Sequence, residues 1–151
     1  MGLYKAVLHH PGNQVEKWFL ECIGVWVSHL NHCAYCVEHH FEGLKRLLED
    51  DDRAKAIRKA LEASDIDKAP LTAAQRLALD YADALTSGPS FVDEDDIVEL
   101  RAAGWDDGQI LEINQVTAYF NYANRTVLGL GVSLDGDTLG LSPSGEDWSH
   151  R

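Results

Sequence analysis

Positive charge is scarce in this sequence: 13 Lys and Arg stand against 25 Asp and Glu among 151 residues, a formal charge of −12. Such a field repels phosphate backbones and anionic lipid surfaces, so neither nucleic acid nor membrane is expected as a partner. Long apolar runs are also missing. The longest stretch without a charged residue lies between Glu21 and Glu38, and His29, Asn31, His32 and two cysteines interrupt it. A bilayer span needs roughly 20 apolar residues, so none is expected. The N-terminus lacks the sequence of basic start, apolar run and small-residue cleavage site, and soon meets His9, His10 and Pro11; a cytoplasmic protein is the expectation. Only three cysteines occur, Cys22, Cys33 and Cys36, an odd number that argues against a disulfide framework and towards a reactive or metal-binding pair. Strand patterns are confined to short runs such as 132–134, and no internal repeat stands out.

What is present is the pattern of one all-α domain. The apolar share is 45% and the charged share 25%, the balance of a folded chain, and the length suits a single core. After the Pro11-Gly12 turn, Asn13 and Glu16 stand as a capping box for a helix over 15–30, whose Trp18, Cys22, Trp26 and Leu30 recur every fourth residue as one wide apolar face. Asn31-His32 predicts a break and a new N-cap, followed by a helix over 33–49 carrying Val37, Phe41, Leu44, Leu47 and Leu48. The acidic run 49–52 predicts a third helix start, with Ala54, Ile57, Ala60 and Leu61 buried. Thr72 with Gln75, then Asp93, then Asp106 with Gln109 predict three more starts, the last helix reaching about residue 128 before Gly129. The helical domain is placed at 1–134 and a polar, loosely held tail at 135–151.

Chemistry concentrates in Cys33-Ala34-Tyr35-Cys36-Val37-Glu38-His39-His40. At 100° per residue, Cys33, Cys36 and His40 fall within an arc of about 60° on one helix face. Cysteines three apart lie within disulfide reach, and a helix N-terminus favours a thiolate. His40, one turn after Cys36, is placed to take its proton or to stabilise its anion. If the chain reverses at Asn31-His32, Glu21 is brought back towards His40 and can orient the imidazole. The spacing alone leaves three readings open: a redox pair, a metal site drawing on Cys33, Cys36, His40 and Glu21 or His32, and inert buried thiols. No second ligand pair supports zinc. Cys22 reads as a core residue, and His9, His10, His29 and His39 as surface or satisfied histidines.

The spacing of Glu21, Cys33-Ala34-Tyr35-Cys36 and His40 resembles the signature of the alkylhydroperoxidase AhpD group of the carboxymuconolactone decarboxylase-like superfamily, in its peroxidase-related subgroup. The stretch 71–85, the turn 101–105, and the segment Tyr119-Phe120-Asn121-Tyr122-Ala123-Asn124-Arg125 with Gly129-Leu130-Gly131-Val132 are similar to the same subgroup, so the resemblance covers roughly 15–134. It implies an all-α, AhpD-like helical bundle assembling as a homo-oligomer, trimer or hexamer, and reduction of a small hydroperoxide without a cofactor or metal. By the same resemblance, Cys36 is the attacking thiolate, Cys33 the resolving cysteine, and His40 with Glu21 the proton relay, with an external dithiol as reductant. Tyr35 stands where founding AhpD members carry histidine. A thiol–disulfide oxidoreductase without a peroxide substrate and a non-enzymatic metal-binding or oligomeric helical domain are the alternatives. The large side chains Trp18, Trp26, Trp105, Trp148, Tyr119, Phe120 and Tyr122 exceed what one small core readily hides, a second reason to expect an oligomer.

Overall fold

The computed structural model describes residues 2–140, which form seven α-helices and, among the described residues, no strand. They are α1 (Gly2–Leu8), α2 (Lys17–Leu30), α3 (Ala34–Leu48), α4 (Asp51–Glu62), α5 (Ala73–Ser87), α6 (Glu94–Ala102) and α7 (Asp107–Gly129). The all-α expectation holds.

The organising element is α2. One wide apolar face was expected, but every residue from 18 to 28 is buried, because α3, α5 and α7 pack around this helix and leave it no solvent side. Polar groups on it find partners across the helix packing. Trp26 donates its indole N–H to the Leu79 carbonyl of α5 at 3.1 Å. Ser28 accepts a hydrogen bond from Asn124 of α7 at 3.0 Å. Gly24 lets α7 approach: a Cβ there would stand 2.3 Å from the Phe120 ring.

Between α2 and α3 the chain turns through His32 in the left-handed region, with φ of 56°. The His32 N–H bonds to the His29 carbonyl at 2.9 Å and the Cys33 N–H to the Ser28 carbonyl at 2.8 Å, the paired bonds of a Schellman ending. Asn31-His32 is therefore the break, but not the N-cap; Cys33 occupies that position, without a side-chain capping bond. The Asn13/Glu16 capping box is also absent. Glu16 precedes α2 without capping it, and the Asn13 amide instead donates to the Val7 carbonyl at 2.8 Å, holding α1 against the turn. Thr72/Gln75, Asp93 and Asp106/Gln109 do cap α5, α6 and α7, and Asp50 caps α4. Residues 135–140, expected to open a loosely held tail, lie along α3. Tyr35 donates to Asp137 at 2.8 Å, and Arg46 donates to the Gly140 carbonyl at 2.9 Å. Trp148 and the rest of 141–151 lie outside the described residues. No described helix is long and apolar enough to cross a membrane.

Candidate active site

The reversal at His32 sets α2 beside the first turns of α3, and the residues singled out from the sequence meet there in two pairs. Cys33, at the start of α3, and Cys36, in its first turn, bring their sulfurs to 2.8 Å; both are free thiols and both are buried. One turn further along α3, His40 Nδ1 stands 2.6 Å from Glu21 Oε2. Glu21 is only 2% exposed, so this short, charge-assisted contact forms where little water competes. With Nδ1–H donated to the carboxylate, the imidazole presents Nε2 as an acceptor. No hydrogen bond joins Cys36 to His40 among the described residues.

The carboxylate fits because α3 carries Gly43 opposite it. A Cβ at that position would come within 3.1 Å of the Glu21 carboxyl carbon and 3.2 Å of Oε2. Phe120 closes another side, its ring meeting that of His40 edge to face at 4.5 Å. The remaining oxygen of Glu21 is also engaged: Tyr4 donates to Oε1 at 3.2 Å, and His9 Nε2 lies 2.9 Å from the Tyr4 hydroxyl and 3.7 Å from Oε1. His9, set aside from the sequence as a surface or satisfied histidine, is thus part of this cluster. Neither it nor Tyr4 carried a spacing signal, since they reach Glu21 only through the packing of α1.

Electrostatics at Cys36 run against the expectation that a helix N-terminus favours its thiolate. Burial first, and Cys33 beside it second, push the Cys36 thiol up to about 12, while the Asn124 carboxamide pulls weakly the other way. Cys22 is buried completely and burial pushes its thiol up to about 12 as well, as suits a core residue. Tyr35 faces away from the Glu21 pair towards the 135–140 segment: its ring packs on His39 at 4.4 Å, and His39 Nε2 lies 3.3 Å from the Asp137 carboxylate. His32 is exposed at the turn. Among the described residues no three His, Cys, Asp or Glu side chains gather as metal ligands do.

No family model and no curated protein matches the chain, but solved structures do. Over 86% of its length it superposes on an uncharacterized peroxidase-related protein from Silicibacter sp. TM1040, with a TM-score of 0.76 and 30% identity. Over 85% it superposes on an alkylhydroperoxidase AhpD core, also an uncharacterized peroxidase-related protein, from Ralstonia eutropha JMP134, with a TM-score of 0.75 and 27% identity. The chain spans 65% and 64% of those two proteins. A protein of unknown function from Agrobacterium tumefaciens that carries the AhpD name shares the fold at 22% identity, with a TM-score of 0.70 over 88% of this chain and 86% of that one. By its helical architecture the chain has an AhpD-like fold, similar to that of these peroxidase-related proteins.

Proposed function

We propose that this protein is a thiol peroxidase that reduces a small hydroperoxide through Cys36 and Cys33, with His40 and Glu21 as its proton relay. The observation that carries this reading is the pairing of two buried thiols at 2.8 Å with a buried Glu21–His40 contact at 2.6 Å one turn along the same helix. A thiol held as high as Cys36 does not ionise unaided at neutral pH, so a positioned base is what turns it into a nucleophile.

In the proposed reaction the Cys36 proton passes towards His40 Nε2 as the sulfur attacks the terminal oxygen of the hydroperoxide. The O–O bond breaks, and the departing alkoxide takes the proton and leaves as the alcohol. Cys36 is then a sulfenic acid. The Cys33 sulfur attacks the Cys36 sulfur, water leaves, and a Cys33–Cys36 disulfide forms. An external dithiol returns two electrons and two protons by thiol–disulfide exchange and is itself left as a disulfide. No step calls for a metal or an organic cofactor.

Mass spectrometry of peroxide-treated protein, trapped with a sulfenic-acid reagent, tests the assignment. Cys33→Ser removes the resolving thiol, so the label is expected to accumulate on Cys36. A label found on Cys33 in Cys36→Ser, and never on Cys36 in Cys33→Ser, would reverse the two roles. Disulfide formation without stoichiometric peroxide consumption would leave a thiol–disulfide oxidoreductase instead.

A further inference from the structure

We infer that Tyr4 and His9, which α1 lays over the far side of Glu21, are positioning residues for the relay: a hydrogen-bonded arm that holds the carboxylate for His40. This rests on the Glu21–His40 reading above and extends it to residues outside the signature.

The direction of the arm follows from proton counting. A tyrosine hydroxyl has one proton, and Tyr4 donates it to Glu21 Oε1 at 3.2 Å. The contact of 2.9 Å between His9 Nε2 and the same hydroxyl therefore has His9 as the donor. Donors thus converge on Glu21 from both ends, His9 through Tyr4 on Oε1 and His40 on Oε2. The carboxylate cannot rotate without breaking one of these bonds, and solvent does not replace them at 2% exposure. The Tyr4 ring also stands 5.9 Å from those of His40 and Tyr119, so α1 forms one wall of the site.

The function of the arm is to keep the relayed proton on His40. Two bonds to Oε1 and Oε2 stabilise the charged carboxylate; with Oε1 deserted, Glu21 competes with the imidazole for the proton, the imidazolium that supports the Cys36 thiolate is lost, and the departing alkoxide loses its proton source. His9 is faced by Glu21 and Lys17 of α2 and by His40 and Arg46 of α3. Burial, only partly opposed by the Glu21 charge, holds it below the usual histidine range, and a neutral ring with its proton on Nε2 supplies the donor.

The test is the pH profile of Cys36 alkylation, read by peptide mass spectrometry on the full chain, beside steady-state peroxide kinetics. Tyr4→Phe keeps the ring and removes the donor. Its profile is expected to move about one pH unit towards alkali, with kcat down about tenfold and KM unchanged. His9→Leu is expected to move the profile the same way by less, and His9→Gln, which restores an N–H donor, to return it to the wild type. If Tyr4→Phe fails to fold, the contrast between His9→Leu and His9→Gln decides. Profiles that coincide with the wild type in Tyr4→Phe and His9→Leu overturn the inference, whatever happens to their melting temperatures. A shifted profile in a protein whose wild type consumes no peroxide would uphold the arm and remove the peroxidase.

Discussion

Burial and Cys33 push the Cys36 thiol well up, so in the proposed reaction its ionisation falls to the base that meets it. Glu21→Gln keeps the size and removes the charge. The variant is expected to fold normally yet lose about 10² to 10⁴-fold in peroxide turnover, the usual range for a positioned acid–base group. Its Cys36 alkylation should need higher pH, because the imidazole loses the negative charge that holds its proton. Unchanged alkylation and turnover in the folded variant would reduce Glu21 to a packing role. That Cys33 would meet Cys36 and Glu21 reach His40 was legible in the sequence, because 33, 36 and 40 share a helix face and Asn31-His32 marks the reversal that returns α2 to it. The direction of the Cys36 shift was not legible, since its first cause is burial, which depends on tertiary packing that spacing along α3 does not reveal.

Helix starts show the same division between local and tertiary information. Thr72/Gln75 and Asp106/Gln109 cap their helices as their spacing announces, because both partners of a capping box lie within one turn. Asn13 had the same local pattern, but Val7 competes for its amide. The helix it serves, α1, has seven residues, too few to hold without packing, and for that reason carries no strong sequence signal. Between α3 and α4 the binding is ionic and aromatic. Arg58 donates to both oxygens of Glu38, at 2.9 and 2.5 Å, and lies over the Phe41 ring at 4.7 Å. The guanidinium holds the Glu38 carboxyl below the usual carboxylate range. A group depressed in the folded state contributes its stability above its unfolded pKa and loses it as pH falls through the folded one. Glu38→Gln should therefore cost about 0.5 to 1 kcal/mol at pH 7 and nothing once the solution is well below the ordinary glutamate range. Urea unfolding of both proteins at neutral and acid pH checks this, and a cost independent of pH would show that the ion pair is not its source.

At the scale of the molecule, the described tryptophans give no reason to expect an oligomer. Trp18 and Trp26 are buried, and Trp105 stacks on Phe19 at 6.0 Å and donates to the Ala74 carbonyl. Part of the exposed apolar surface lies on α7, where Leu111 and Tyr122 are 56% and 62% exposed. Eleven residues apart, they share a helix face with Ala118. A second copy of the chain is the proposed cover, and light scattering should return an oligomer that Tyr122→Glu shifts to monomers; a wild-type monomer of 16.8 kDa at micromolar concentration would refute it. The gap that α3 leaves at Gly43 has a consequence for how this molecule can be improved. Glycine inside a helix costs about 1 kcal/mol relative to alanine, so selection for robustness alone would favour Gly43→Ala. The new methyl would press on a carboxylate tethered at both oxygens, and the expected variant melts no lower than the wild type while reducing peroxide more slowly. Stability and turnover are thus set against each other at one position, and thermal ramps run beside peroxide assays on Gly43→Ala would measure the trade-off directly.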